Sequence, residues 1–510
     1  MSRSQNAVRN IGWGVLNKLI ATFMPFITRT VLLYKLGTEY IGLNSLFTSI
    51  LGLLSLSELG IGTALIFSMY EPLAKGNTAK VCALMKLYKK CYFWIGAIVL
   101  LIGLIIMPFL EKLIAGGYPK DINIYVLYTV YLFNTVLTYW LFAYKKSLLI
   151  ACQRVDMQSN INSFVIMVQN LAQFILVLIF SNYYFYLLVL PLCTVLENIL
   201  VLVIVDKKFP QYKPYGKIAI SELGGIKQKI IGLLFQRIGN VVLSSVDSIV
   251  ISAFLGLTVL GSYNNYYYVI NAVFGFLAIM QTSLKPVVGN AIVLESHDKN
   301  YETFSMINFL YLWIVIWCSC TLMCLYQPFM ELWVGEQAVF NFSMIVILVI
   351  YFFTYKWGDI LFVYQEAAGI WWESRYVPLI AAILNLVVNI VLVKLIGLAG
   401  IPISTIISVV FVYNYGYAKI LFKNYFGSEK LVIFIRQQFV YLGAGLIICI
   451  VTYSICSLLE TQKVVTLIVR FLICLIVPNI FLLMMFFRKK EFKSAQKLIV
   501  NKFRRGKYGE

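Results

Sequence analysis

A small set of ionisable side chains falls inside long apolar stretches of this chain: Lys18, Arg29 and Arg237 are basic, and Glu58, Glu197 and Asp247 are acidic. Holding a charge at the centre of a bilayer costs about 2.5–3.5 kcal/mol on insertion scales, so such groups face one another, water or a substrate. Their spacing groups them. At about 100° per residue, Lys18, Thr22 and Arg29 lie within roughly 40° of one another on one helical face. Arg237, Asn240, Ser244 and Ser248 occupy a stripe about 80° wide with Asp247 at its edge, and Asn44, Thr48, Ser55 and Glu58 occupy another of similar width. The three cations suit an anionic ligand. A guanidinium offers a fork of donors matched to phosphate oxygens, whereas an ammonium offers a point charge. The embedded carboxylates suit protons or Na+, and Glu197 reads equally well as a structural hydrogen-bonding group or a proton site. Lys356 and Asp359, three residues apart, read as a local ion pair. Arg470, early in the last apolar run, reads as a snorkelling or protein-paired residue and is set aside.

Other chemistries drop out. The only histidine, His297, sits in a charged loop, which excludes His-based triads and His-rich metal sites. The ten cysteines lie mostly within or beside apolar runs and read as small packing residues, with no metal expected. There is no G-x-x-x-x-G-K-[ST] phosphate loop, so ATP hydrolysis by that route is not expected. No catalytic residue is assigned.

The elements that position these side chains are membrane helices. Of 510 residues, 61% are hydrophobic and 13% charged, where a soluble domain carries roughly a quarter charged residues. Mean hydropathy is +0.85. Apolar runs of the length that spans a core about 30 Å thick follow one another from Ile11–Leu33 to Val464–Phe487, about fourteen in all. Strand alternation is absent, so the fold class is an all-α integral membrane protein. With the N-terminus inside, 32 of the 42 basic residues fall in cytoplasmic loops and tails, and only five in the opposite connections. The net charge of +20 therefore marks a cytoplasmic face in contact with anionic lipid, with no nucleic-acid partner. The first apolar run is long, carries charge and lacks a small-residue cleavage site, so no cleavable signal peptide is expected. The loops expected outside are short, which leaves little room for an external catalytic domain.

An internal repeat organises the helices. Leu36-Gly37, four residues, then Gly42 recurs as Leu255-Gly256, four residues, then Gly261, at an offset of 219. The same offset carries Lys18 onto Arg237 and Asn17 onto Gln236. Both copies start from the same side, so the repeat is parallel. The expected organisation is an N-terminal six-helix lobe (1–205), a cytoplasmic linker (206–229), a C-terminal six-helix lobe (230–421), an extra helix pair (422–487) and a basic cytoplasmic tail (488–510).

Three stretches resemble the Wzx-type oligosaccharide flippases of the multidrug/oligosaccharidyl-lipid/polysaccharide exporter superfamily. They are Glu58-Leu59-Gly60-Ile61-Gly62-Thr63-Ala64, the segment from Asp247-Ser248 to Gly261-Ser262-Tyr263, and Ile396-Gly397-Leu398-Ala399-Gly400 running on to Ser404. The similarity runs over essentially the whole chain. It implies two six-helix lobes around a central cavity, and movement of undecaprenyl-pyrophosphate-linked sugar units to the outer leaflet for capsule, O-antigen or another surface polymer. On that resemblance the family's cationic cavity corresponds to Lys18, Arg29 and Arg237. The partners implied are a lipid-linked oligosaccharide, the bacterial plasma membrane with both termini cytoplasmic, and a polymerase and glycosyltransferases of the same pathway. No cofactor is implied. With the cytoplasm negative, each negative charge moved outward gains about 2.3 kcal/mol per 100 mV, so the membrane potential is one driving force. H+ or Na+ exchange through Glu58, Glu197 or Asp247 is another, and the sequence does not choose. Two rivals remain. A multidrug exporter of the same superfamily would want a more acidic embedded set and usually has twelve spans. A membrane polymerase or ligase would want a large outer loop.

Overall fold

The computed structural model describes residues 3–58, 60–218, 220–336, 339–458 and 463–497; side chains are described from Leu19 onward, apart from those of 57, 220–233 and 236. The described elements are helices, and the chain divides into two compact units, 1–264 and 265–510.

The first unit is built from α1 (Arg3–Leu36), α2 (Thr38–Leu54), α3 (Ile61–Ala74), α4 (Thr78–Ile106), α5 (Ile124–Trp140), α6 (Ala143–Ala151), α7 (Val155–Phe180), α8 (Tyr183–Lys208) and α9 (Ile220–Leu255). It ends within α10 (Leu257–Leu294), after Asn264. The second unit continues α10 and adds α11 (His297–Val334), α12 (Phe342–Trp357), α13 (Asp359–Ala367), α14 (Trp371–Ser374) and α15 (Val377–Ile396). It is completed by α16 (Gly400–Ser408), α17 (Tyr415–Leu421), α18 (Glu429–Ser457) and α19 (Lys463–Phe486).

Eleven helical runs among the described residues are long and apolar enough to cross a membrane, and α5 with α6, bent by 52°, makes a twelfth. The run Trp371–Phe426, at 56 residues, holds two spans, because α15 and α16 fold back on each other about the positive-φ turn at Gly397. Their seam is polar and closed: Asn385 donates to Thr405 Oγ1 at 3.0 Å, Asn389 donates to Asn385 Oδ1 at 3.1 Å, and all three are buried. The remaining segment is α2 with α3, which is broken. The fourteen expected spans are therefore not all separate apolar helices: eleven or twelve pass by length and composition among the described residues. The outward faces of many of these helices carry exposed Leu, Ile, Val and Phe, such as Leu192, Ile450 and Phe471, the pattern of a lipid-facing surface.

Two interruptions matter for function. The expected second span, Ile41–Phe67, is not one helix. After Leu54 the chain takes a tight helical turn, Ser55–Glu58, and restarts at Ile61 from Gly60, whose φ of 76° is the left-handed conformation that glycine adopts without strain. The polar stripe expected along that span therefore splits, and Asn44 and Glu58 face different neighbours. The other interruption joins α1 to α2 and α9 to α10, at Gly37 and Gly256, with φ of 103° and 89°.

Those two turns meet within the first unit and make the repeat visible. A side chain on Gly42 would run into the Leu257 carbonyl, and one on Gly261 would run into the Thr38 carbonyl. At the offset of 219, Thr38 corresponds to Leu257 and Gly42 to Gly261, so the two contacts are one contact made twice. Between them the Thr258 hydroxyl donates to Glu39 Oε1 at 3.2 Å, a pair 219 residues apart that bonds across the local two-fold relation. The glycines are required because backbone approaches backbone, leaving no room for Cβ.

Candidate functional site

The break between α2 and α3 builds the most chemically distinctive site of the first unit. Glu58, on the turn before the break, accepts a hydrogen bond from the Tyr92 hydroxyl of α4. Tyr92 stacks on Tyr88 with ring centroids 4.2 Å apart, and Tyr139 of α5 packs on Tyr92 at 5.8 Å. Gly62 closes over this group: a Cβ there would lie 2.8 Å from Glu58 Oε1 and 3.0 Å from the Tyr88 hydroxyl, and would collide with the Tyr92 hydroxyl. One residue on, the Thr63 hydroxyl accepts from Arg237 Nη2 of α9 at 2.7 Å. The guanidinium also lies within electrostatic range of the Tyr88 hydroxyl, as does Glu58. A carboxylate, an aromatic cluster and a cation are thus gathered on the first turn of a 14-residue helix. Free amides and the helix dipole favour negative charge at such a turn.

Along α9, Arg237, Asn240 and Ser244 are all exposed, as expected of a stripe lining water or a ligand. Ser248 and Asp247 are half-buried on the same helix. The Ser244 hydroxyl donates to the Val241 carbonyl at 2.9 Å, so its oxygen keeps accepting capacity.

Arg29 and Asn44 belong to a second cluster. Asn44 Oδ1 accepts from the Tyr131 hydroxyl at 2.5 Å, and Tyr131 shares a hydrogen bond with Tyr183 at 2.9 Å. Tyr183 stacks on Tyr186 with centroids 5.5 Å apart, and the Tyr186 hydroxyl lies within electrostatic range of Arg29, which is half-buried on α1. Tyr183 is buried within the first unit. The Tyr184 hydroxyl does face outward, accepting from the Asn123 amide at 2.7 Å.

Glu197 does not stand alone. Lys146, on the short helix α6 after the bend, forms an ion pair with it, while the neighbouring Lys145 pairs with Asp206. The sequence hid this pairing because the bend at Phe142, φ 51°, re-aims α6 toward α8. The Lys18 side chain lies outside the described residues, as does that of Gln236. In the second unit, Lys356 and Asp359 form the local ion pair expected, at 3.1 Å. The sequence reading missed what surrounds it: Tyr311 and Gln281 both donate to the same Asp359 carboxylate oxygen, and Lys356 lies over the Phe274 ring at 4.4 Å.

No curated protein matches the chain. Among solved structures, the lipid II flippase MurJ in an inward closed conformation superposes with a TM-score of 0.63 at 16% identity, covering 92% of this chain and 99% of that one. An inward-facing multidrug resistance MATE transporter of the MOP superfamily follows at 0.58 and 12%, covering 79% and 94%. A Vibrio cholerae MATE transporter gives 0.53 and 14%, covering 82% and 96%. At these identities the likeness is one of fold, and it makes the chain a multi-pass membrane protein of that architecture. The sequence profile described as "Polysaccharide biosynthesis protein" matches residues 7–292, which take in α1 to α9, the break at Gly60 and Arg237. Since that match spans more than half of the chain, the protein belongs to the polysaccharide biosynthesis protein family.

Proposed function

We propose that the protein is a flippase that carries a prenyl-pyrophosphate-linked oligosaccharide, of the undecaprenyl type, from the inner to the outer leaflet of a bacterial plasma membrane. The pathway served is capsule, O-antigen or another surface polysaccharide, and both termini are cytoplasmic. The observation that carries this reading is the placement of Arg237 on the first turn of α3. A guanidinium and a helix N-terminus converge there, and both favour a phosphate. Arg237 has no carboxylate ion pair among the described residues, so it can turn to a ligand without stranding a partner. Arg29, and Lys18 as the repeat partner of Arg237, supply further positive charge. Asn240 and Ser244 continue the polar stripe for sugar hydroxyls. The protein performs no covalent chemistry on its substrate and passes it to polymerising and glycosyl-transferring enzymes.

Glu58 supplies the acidic half of the site. Its carboxylate and Arg237 share the Tyr88 environment, so protonating it or binding Na+ near it changes the field at the guanidinium. Asp247 is the second coupling group. Glu197 is committed to Lys146 and is dropped from this role.

Export of organic cations is the second reading. One observation favours it: a carboxylate ringed by Tyr88, Tyr92 and Tyr139 would receive a cation by charge and by ring faces. Arg237 beside that group opposes it. The test is reconstitution in liposomes, measuring in parallel the appearance of a labelled lipid-linked oligosaccharide in the opposite leaflet and the movement of a fluorescent organic cation. Flipping of the former without transport of the latter supports the flippase; the reverse overturns it.

A further inference from the structure

The C-terminal helices hold a group of thiols that the transport reading does not use. Cys324 of α11, Cys456 of α18 and Cys474 of α19 are buried to within 1% of full burial, and their sulfurs all lie within 4.8 Å of one another. Three sulfurs arranged around one metal at about 2.3 Å, the Zn–S bond length, require separations of this order. Three helices distant in sequence therefore each contribute one thiol to a single point, whereas packing alone would be satisfied by any small apolar residue at any of them.

The surroundings supply a second, independent observation. Arg470, one turn before Cys474 on α19, points into the same place: its Nη1 donates to the Cys324 carbonyl at 3.3 Å, and its Nε is buried with no acceptor. Its charge is felt at Cys456. Among the described residues no carboxylate is paired with it. A partly buried guanidinium favours compensating negative charge, and the three thiols packed against it can supply it as thiolates. Gln327, one turn after Cys324, likewise has a buried Oε1 without a donor. Cys324, Gln327, Thr466 and Arg470 line a polar cavity of ≈ 340 Å³ that also reaches Glu331 and the exposed Lys463, so a small ion has a route in.

We propose that Cys324, Cys456 and Cys474 bind Zn2+ as a three-thiolate site that fastens α18 and α19 to α11. Binding displaces the three thiol protons to solvent, with no change in oxidation state. Three thiolates and a divalent ion leave one negative charge, and Arg470 neutralises it. A monovalent thiophilic ion such as Cu+ would leave one charge uncompensated in an apolar setting, so the divalent ion is the better fit. A water from the cavity can complete the tetrahedron and donate to Gln327. The site is a structural fastening within the second unit.

The test uses the full-length protein in detergent, stripped with a chelator and titrated with Zn2+. One equivalent should survive desalting, raise the unfolding temperature and protect thiols from alkylation. Cd2+ should give a sulfur-to-metal charge-transfer band. Cys456→Ser should weaken binding by more than the roughly 10–100-fold lost with groups behind a ligand, and Arg470→Gln by about that amount. Should Cys456→Ser fail to fold, Cd2+ titration and alkylation protection of the unsubstituted protein still decide. Zn2+ held only at millimolar levels, or held equally by the serine variant, means an adventitious ion only and overturns the proposal. A disulfide between two of these cysteines in freshly purified protein overturns it as well.

Discussion

Replacing Arg237 by alanine separates a ligand anchor from a structural cation. The side chain is exposed and makes one neutral-acceptor hydrogen bond, to Thr63. Removing it therefore costs at most about 1 kcal/mol of stability, because Thr63 keeps access to other partners. Its loss from a pyrophosphate complex is larger. A charge-assisted hydrogen bond contributes about 1.5–3 kcal/mol, so losing a two-pronged contact removes about 3 kcal/mol at the least, on the order of a hundredfold in headgroup affinity. Arg237→Lys keeps the charge without the fork and should recover part of that loss. The assay is flipping of a labelled lipid-linked oligosaccharide in liposomes of matched protein content, with binding of a soluble headgroup analogue measured alongside. Protein abundance and unfolding temperature should stay near those of the unsubstituted chain. An abundant Arg237→Ala protein that flips and binds at the normal level refutes the anchor. A protein that instead becomes scarce, and is rescued by Glu58→Gln, shows that the arginine balances a carboxylate.

Three further outcomes test the frame around that site. Gly62→Val should drive the Tyr92 hydroxyl off Glu58, costing about 1–3 kcal/mol for a stranded carboxylate and lowering transport, measured by unfolding temperature and flipping together. Cysteines at Glu39 and Thr258, whose side chains bond across the two turns at 3.2 Å, should be joined by a short thiol cross-linker and arrest transport if the turns must part during the cycle; full activity of a verified cross-linked protein excludes that motion. Single cysteines at the exposed positions Lys120 and Lys463 should react with an impermeant thiol reagent on intact cells, and one at Lys217 only after permeabilisation. Labelling of Lys217 from outside reverses the orientation.

The sequence by itself determined the class, since it depends on a local quantity, apolar run length against bilayer thickness. It also determined the repeat, because backbone contact at Gly42 and Gly261 tolerates no Cβ and so leaves a mark on residue type. Partner choice was decided by the tertiary structure. The stripe of Asn44 and Glu58 assumed a continuous helix, and the left-handed Gly60 breaks it, sending Asn44 to Tyr131 and Glu58 to Tyr92. Between a structural and a proton-site reading of Glu197 the sequence did not choose, and the bend at Phe142 brings Lys146 to it as an ion-pair partner. Three cysteines spaced over 150 residues read as packing, because a metal-sized triangle of sulfurs exists only once α11, α18 and α19 are assembled. Helical periodicity reports which face a side chain occupies, while breaks, bends and helix pairing decide what that face meets.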